Sequence, residues 1–248
     1  MSVGRGAPRA LLLDALGTLV ELEPPVEPLR RELRERFGVG VSADEARAAL
    51  RAEIAFYRSH HDDASDRARL ADLRRRAAET LRGALPPGCA TLPLPELTGA
   101  LLAALRFRPF PEVADVLCGA RARGARLVVV SNWDVSLHDV LDATGLAPLV
   151  DGVVTSAEVG SSKPEREIFA RGLALAGAAA EDAVHVGDSV EHDVAGALAA
   201  GIVPLLLARD GASPDGSAPA GVRAIATLRP LLELLDGDAR RGPVSFVA

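Results

Sequence analysis

Five short runs of hydrophobic residues predict buried β-strands. They occupy residues 10–14, 126–131, 152–155, 183–188 and 202–208. Each run has the length of a strand and is apolar at nearly every position, whereas a strand with one solvated face alternates apolar and polar residues. Strands that are apolar on both sides are typical of parallel sheets covered by helices. The pattern therefore predicts a buried parallel sheet.

The segments between these runs have apolar residues at helical spacing. Predicted helices cover residues 111–123, 135–144, 164–176 and 190–200, and a glycine follows each of them directly. Glycine is a common signal for the end of a helix. Strand and helix alternate in this way from about residue 108 to residue 236, which predicts an α/β fold with a doubly wound parallel sheet.

Residues 20–107 have a different pattern. They show no strand-like run, and they are rich in Arg, Glu, Ala and Leu at helical spacing, with prolines near both ends. This composition predicts an all-helical domain inserted after the first strand. We expect a core of residues 1–19 and 108–248 and a helical domain of residues 20–107.

Composition and charge narrow the class of partner. The chain has 248 residues, of which 48% are hydrophobic and 25% charged, as in ordinary globular proteins. Its net charge of −6 provides no basic surface for nucleic acid or anionic membranes. Its two cysteines form no zinc or redox motif, and its apolar segment at residues 10–20 is too short to span a bilayer. We therefore expect a cytoplasmic protein with a small-molecule partner, of undetermined oligomeric state.

Reactive side chains follow three of the predicted strands. Asp14, Ser131 and Asp188 end their runs, and parallel sheets bind ligands at the carboxyl ends of their strands. Lys163, the single lysine among 28 basic residues, lies in a loop just before a predicted helix. Two carboxylates, a hydroxyl and an ammonium are the groups needed for metal-assisted attack on a phosphoryl group.

Four motifs occur in a specific order along the chain. They are DALGTLV from residue 14, VVSNWD from residue 129, GSSKPEREIF from residue 160 and GDSVEHDVAGALAAG from residue 187. In this order they resemble the motifs of the haloacid dehalogenase-like hydrolase superfamily. The resemblance covers the strand-bearing core and the position of the helical insertion, which looks like that family's cap. It implies a hydrolase with a Rossmann-like core.

The resemblance also implies roles for individual residues. Asp14 is then the nucleophile, which forms an aspartyl-phosphate intermediate. The cofactor implied is Mg²⁺, held by Asp14, the backbone carbonyl of Leu16, and Asp188. A cation is needed there because a carboxylate and a phosphate dianion repel each other.

The other motif residues are implied to bind and support the substrate. Ser131, the N–H of Asn132, and Lys163 would bind the phosphoryl oxygens at the head of the following helix, with Lys163 also neutralising Asp14. Ser131 could equally cap that helix. Supporting positions next to these groups are Thr18, Ser189 and Asp193, of which Asp193 would orient Lys163 or waters on the metal.

Leu16 departs from the family pattern. Most phosphatases of the superfamily have an Asp two residues after the nucleophile, which protonates the leaving group and later activates water. Such an acid contributes about 10²- to 10⁴-fold in rate. One interpretation is that the cap supplies a substitute, since His60, His61, Asp62 and Asp63 form a titratable cluster there. The same cluster also fits a solvated helix end.

Three functions remain open. The favoured one is a Mg²⁺-dependent phosphatase acting on a small phosphorylated metabolite. The second is a metal-independent 2-haloacid dehalogenase, because halide leaves carbon without being protonated; Asp188 argues against it, since those enzymes usually lack this acid. The third is a non-catalytic protein that binds a phosphorylated ligand.

Overall fold

The computed structural model describes residues 7–209 and 218–237. A six-stranded parallel sheet forms its centre, in the order β5-β4-β1-β6-β7-β8, and a two-stranded antiparallel sheet joins β2 to β3. The strands are β1 (Ala10–Leu13), β2 (Val20–Leu22), β3 (Phe107–Pro109), β4 (Arg126–Ser131), β5 (Gly152–Thr155), β6 (Ala183–Gly187), β7 (Val203–Leu207) and β8 (Arg223–Ile225). The five predicted strands are all present.

Ten helices accompany these strands in the described ranges. They are α1 (Val26–Phe37), α2 (Ala43–His60), α3 (Arg67–Ala84), α4 (Leu94–Ala104), α5 (Val113–Ala122), α6 (Leu137–Ala143), α7 (Ser156–Val159), α8 (Arg166–Ala176), α9 (Ala195–Ala199) and α10 (Pro230–Leu235). None of them is long and apolar enough to cross a lipid bilayer.

Helices cover both faces of the parallel sheet. Successive strand residues point to opposite faces, so Leu11 and Leu13 pack with α5, α6 and α10, whereas Leu12 packs with α8 and α9 on the other side. The alternation of buried side chains on two faces explains why these strands are apolar at nearly every position. The predicted doubly wound α/β fold is confirmed.

Helices α1 to α4 form the helical insertion, which we call the cap. Leu29, Leu50 and Leu81 belong to a hydrophobic cluster separate from the two clusters on the sheet. Helix α2 begins with a capping box, in which the Ser42 hydroxyl accepts a hydrogen bond from Glu45 N and the Glu45 carboxylate accepts one from Ser42 N. The cap therefore has a hydrophobic core of its own.

The expectation that residues 20–107 contain no strand is wrong at both ends. Val20–Leu22 pairs in antiparallel fashion with Phe107–Pro109, where the chain enters and leaves the cap. Strands of three residues are too short to show a hydrophobic period, so their pairing depends on the tertiary contact. The pair holds the two connections to the cap side by side.

Candidate active site

The carboxyl edge of the sheet brings three predicted residues into direct contact. Asp14 directly follows the central strand β1 and is buried. Its Oδ1 accepts hydrogen bonds from Ser131 Oγ at 3.0 Å and from Lys163 Nζ at 2.6 Å. Burial raises the pKa of Asp14, and the Lys163 ammonium opposes that effect. Asp14, Ser131 and Lys163, which the sequence predicts at one edge of the sheet, are thus in contact in the structure.

Lys163 lies between two buried carboxylates. Its Nζ is 2.6 Å from Asp14 Oδ1 and 2.6 Å from Asp193 Oδ1, and the residue is 4% exposed. Burial alone would lower the pKa of Lys163, but the two carboxylates outweigh it and raise the pKa above its usual value. The ammonium is therefore charged at neutral pH, and it compensates two negative charges in the protein interior.

Asp193 anchors Lys163. Its Oδ1 also contacts His185 Nε2 at 2.8 Å, and its Oδ2 accepts a hydrogen bond from Ser189 N at 3.0 Å. Burial favours the protonated acid, but Lys163 and His185 outweigh it and hold the pKa of Asp193 below its usual range. His185 was not predicted from the sequence, although a histidine inside an otherwise apolar strand was a usable signal.

Asp188 lies over the turn that follows the nucleophile. Gly17 in that turn has φ +82°, and a Cβ built on it would be 2.0 Å from Asp188 Oδ2. Glycine is required there both for the left-handed backbone and for the close approach. Burial raises the pKa of Asp188 to about 7, and the charges of Asp14 and Asp193 add to the effect. Three carboxylates that repel one another therefore lie at this end of the site.

These carboxylates fit a divalent cation. One oxygen each from Asp14, Asp188 and Asp193 lies within 4.8 Å of the others. Because both oxygens of Asp193 already accept hydrogen bonds, Asp14 and Asp188 are the pair suited to a metal. Carboxylate oxygens are ligands that Mg²⁺ prefers.

Leu16 lies in the turn between Asp14 and β2. It forms an isolated β-bridge with Val20. In this bridge Gly17 N donates to the Val20 carbonyl and Val20 N donates to the Ala15 carbonyl, so the Leu16 carbonyl takes no part. The side chain of Leu16 is 42% exposed. The position of the missing acid is therefore open to solvent and not packed into the core.

Asn132 holds the backbone of Lys163. Its Oδ1 accepts a hydrogen bond from Lys163 N at 2.7 Å, and its Nδ2 donates to the Lys163 carbonyl at 3.0 Å. Sequence reasoning assigned a role to the Asn132 N–H and missed this function of the side chain. The paired hydrogen bonds fix the loop that carries the ammonium.

The helix predicted at residues 135–144 begins two residues later than expected, well beyond Ser131. Helix α6 starts at Leu137, with Ser136 as its N-cap residue, so Ser131 does not cap it and no helix N-terminus lies at Asn132. The intervening residues form a loop in which Asp134 Oδ1 accepts a hydrogen bond from Ser136 N. The Ser131 hydroxyl donates to Asp14 instead.

Thr18 and Ser189, the remaining predicted positions, support backbone turns. Thr18 is fully buried, its hydroxyl has no hydrogen-bond partner among the described residues, and its carbonyl accepts from Arg209 Nη2 at 2.7 Å. Ser189 Oγ accepts from His192 N and caps the π-helical turn that precedes α9. Arg209, which the sequence did not suggest, also pairs with Glu112 at 2.7 Å.

The cap contacts the core near the site. Tyr57 of α2 donates a hydrogen bond to Asp134 Oδ2 at 2.9 Å, and Asp62 Oδ2 accepts one from Ser162 Oγ at 2.5 Å, next to Lys163. His60 Nδ1 and His61 Nδ1 contact backbone carbonyls of α2. Asp63 pairs with Arg76 of α3 at 3.1 Å, so residues 60–63 divide between contacts inside the cap and one contact with the core.

Comparison with known proteins identifies the family of the chain. A family model for haloacid dehalogenase-like hydrolases matches residues 8–201. The chain belongs to this family. A haloacid dehalogenase-like hydrolase domain-containing protein 3 from Bos taurus is 38% identical over 134 residues, covering 50% of this chain and 52% of that protein. A phosphoserine phosphatase from Thermus thermophilus is 38% identical over 98 residues, covering 39% of each chain. The chain thus spans about half or less of these relatives.

Solved structures of this family cover more of the chain. A HAD phosphatase from Thermococcus onnurineus has 25% identity and a TM-score of 0.61, covering 92% of this chain and 98% of its own. A 2-haloacid dehalogenase from Pseudomonas syringae has 23% identity and a TM-score of 0.65, with the same coverage. The latter likeness concerns the fold alone, so the haloacid dehalogenase-like hydrolase described here shares its architecture with both kinds of enzyme.

Proposed function

We propose that this hydrolase is a Mg²⁺-dependent phosphatase that acts on a small phosphorylated metabolite through an aspartyl-phosphate. The observation that supports it most is Lys163 Nζ at 2.6 Å from both Asp14 and Asp193. This contact keeps a nucleophilic carboxylate and a permanent positive charge side by side in a buried site. A dianionic substrate needs that charge, because Asp14 is itself negative.

The chain's own residues account for binding and attack. Lys163 and the Ser131 hydroxyl hold phosphoryl oxygens next to Asp14, together with the Asn132 N–H. An Asp14 oxygen attacks phosphorus, the bond to the leaving oxygen breaks, and Asp14 becomes phosphorylated. Water then attacks phosphorus, which releases inorganic phosphate and restores the Asp14 carboxylate.

Mg²⁺ fits this mechanism as a charge-compensating group. Asp14, Asp188 and the Leu16 carbonyl would hold it, and when bound it supplies the Lewis-acid stabilisation that phosphoryl oxygens need. The raised pKa of Asp188, caused by burial and by Asp14 and Asp193, supports the need for a cation there. Asp193 orients Lys163, and Ser189 and Thr18 keep the neighbouring turns in place.

We assign residues 1–19 and 108–248 to the catalytic core and residues 20–107 to the cap. The separate hydrophobic cluster of the cap supports this division, while residues 1–6, 210–217 and 238–248 lie outside the described ranges. The phosphatase names of relatives support a small phosphorylated substrate. Two free cysteines, Cys89 and Cys118, are consistent with the cytoplasmic location that we propose.

Leu16 keeps the dehalogenase as a second candidate. Leu16, two residues after Asp14, is not an acid. Displacement of halide by Asp14 requires no proton donor. Against it, Asp188 lies at the site beside Asp14, and burial and the neighbouring carboxylates raise its pKa to about 7, an arrangement that favours a bound cation.

The deciding experiment measures two substrates under two conditions. Hydrolysis of an activated aryl phosphate and of 2-chloropropionate is followed with Mg²⁺ and with a chelator, using Asp14→Asn as the inactive control. We expect aryl phosphate turnover with Mg²⁺ alone. Release of halide in chelator establishes the dehalogenase, and a single burst of phosphorylation without turnover establishes the phospho-ligand-binding protein.

A further inference from the structure

A histidine lies inside the otherwise apolar strand β6. The strand has the sequence AVHVG, and His185 at its centre is fully buried. An imidazole ring removed from water lowers the stability of the fold unless its polar nitrogens are hydrogen-bonded. The partner of His185 therefore indicates why a polar ring occupies this position.

The hydrogen bonding of the ring determines its tautomer. His185 Nε2 is 2.8 Å from Asp193 Oδ1, whereas Nδ1 is buried and has no hydrogen-bond partner among the described residues. A proton on Nε2 has an acceptor, but a proton on Nδ1 would be a buried donor without one, which is unfavourable. We therefore assign the proton to Nε2, so that His185 donates a hydrogen bond to Asp193.

The neighbouring residues keep the ring and the carboxylate together. The Phe169 ring meets the His185 ring edge-on, with their centroids 5.0 Å apart and their planes at 86°. A Cβ built on Gly187 would be 2.1 Å from Asp193 Cγ, so glycine at this position lets the carboxyl group lie directly against β6. Packing thus holds His185 and Asp193 in contact.

The hydrogen bond from His185 fixes the plane of the Asp193 carboxylate. Oδ1 accepts from His185 Nε2 at 2.8 Å and from Lys163 Nζ at 2.6 Å, and Oδ2 accepts from Ser189 N at 3.0 Å. With the His185 donor removed, each oxygen keeps one of these three donors, and rotation about the Cβ–Cγ bond is less restricted. His185 therefore controls the direction in which Asp193 Oδ1 faces.

The position of Lys163 depends on that direction. Its Nζ is 2.6 Å from Asp193 Oδ1 and 2.6 Å from Asp14 Oδ1, so two carboxylates compete for one ammonium. The lysine side chain is a flexible stem, and both partners are needed to hold its Nζ between them. If Asp193 turned away, Lys163 would pair with Asp14 alone. That pair would occupy the nucleophilic oxygen and draw the ammonium away from a phosphoryl group beside it.

We propose that His185 is a positioning residue, which through its hydrogen bond to Asp193 holds Lys163 where the ammonium binds a phosphoryl oxygen. This inference rests on the proposed phosphatase function. His185 neither gives nor takes a proton in the reaction, because Asp193 and Lys163 lie between it and Asp14. Its effect is on the affinity of the site for phosphoryl oxygens.

The first test measures the binding of inorganic phosphate by calorimetry with Mg²⁺ present. His185→Met fills the space without a donor, and we expect the dissociation constant of phosphate to rise 10-fold or more. His185→Gln places an amide N–H near the position of Nε2, and its dissociation constant should stay within threefold of the wild type. Val184→Ala is the matched control, a buried change on the same strand that faces the other side of the sheet, and it should bind phosphate as the wild type does.

The second test uses the single lysine of the chain, which gives one side-chain ammonium signal in protein labelled with ¹⁵N at lysine Nζ. No substrate is needed. In the wild type and in His185→Gln we expect the Nζ hydrogens to exchange slowly with water, because two buried carboxylates hold them. In His185→Met the exchange should be at least 10-fold faster, whereas Val184→Ala reports how much a loss of stability contributes by itself.

Several outcomes contradict the role of His185. Phosphate affinity of folded His185→Met within threefold of the wild type would overturn it, as would unchanged exchange at Lys163. Equal losses in His185→Gln and His185→Met would do the same, because the volume of the ring and not its N–H would then matter. His185→Asn, whose shorter side chain ends before the position of Nε2, replaces His185→Met if that variant does not fold. If the folded wild type neither binds phosphate nor hydrolyses a phosphate ester, the proposed function fails instead, and exchange at Lys163 still shows whether His185 holds it.

Discussion

Because Glu53 of the cap helix α2 is buried, we predict a pH dependence of the free energy of unfolding that can be measured without any substrate. Burial holds the pKa of this carboxyl at about 7 in the folded protein, whereas the ordinary pKa of an exposed Glu is 4.5. Between these values the unfolded chain has released the proton and the folded chain has kept it. The free energy of unfolding therefore falls as pH rises through this window and levels off above pH 7.

The size of the effect follows from the shift. One pH unit is worth about 1.4 kcal/mol, so the full window costs the wild type up to about 3 kcal/mol. Glu53→Gln keeps the shape of the protonated acid and cannot ionise. The variant should match the wild type near pH 4.5 and be more stable by up to about 3 kcal/mol at pH 8.

Denaturant unfolding of both proteins between pH 4.5 and pH 8.5 measures this difference. Taking the difference between the two proteins removes the contributions of other groups, including Asp188, which both share. Glu35→Gln, the same change at an exposed position, is the matched control. A constant difference between Glu53→Gln and the wild type across this range would show that Glu53 ionises freely in the folded state.

Three further predictions concern the site itself. Lys163→Arg should lose most activity, because the larger guanidinium does not fit between Asp14 and Asp193, both 2.6 Å from Nζ; initial rates check this. Mg²⁺ should raise the melting temperature of the wild type and not that of Asp188→Asn, because the variant loses a charged ligand. Gly17→Ala should cost about 1–3 kcal/mol of stability and most of the activity, since φ is +82° and the new Cβ collides with Asp188; unfolding curves and rates check this.

Each of these has a clear contrary outcome. Activity of Lys163→Arg within twofold of the wild type would mean that Lys163 is not in the reaction. Equal stabilisation of Asp188→Asn and wild type by Mg²⁺ would place the cation elsewhere. For Gly17→Ala, the control is Gly83→Ala in α3, where a Cβ meets no atom within 4 Å; similar effects of both changes would remove the special status of Gly17.

The sheet and its reactive edge could be predicted from the sequence because their signals are local. Buried strands need apolar residues on both faces, so five strands are readable as continuous apolar runs. Parallel topology places the ends of those strands at one edge, which brings Asp14 and Ser131 together. The identity of Lys163 as a site residue was readable from its being the only lysine and from its motif.

Other features depend on partners that are distant in the chain. Asp14 and Lys163 are 149 positions apart. Remote segments must also meet to form the contact of Lys163 with Asp193, the two hydrogen bonds from Asn132 to the Lys163 backbone, and the pairing of β2 with β3. Burial has the same origin, since a side chain is removed from water by its neighbours in space. The sequence shows Glu53 as one glutamate on a charged helix; only the tertiary structure leaves it buried and unpaired, because that requires α2 to pack simultaneously against the cap and the core.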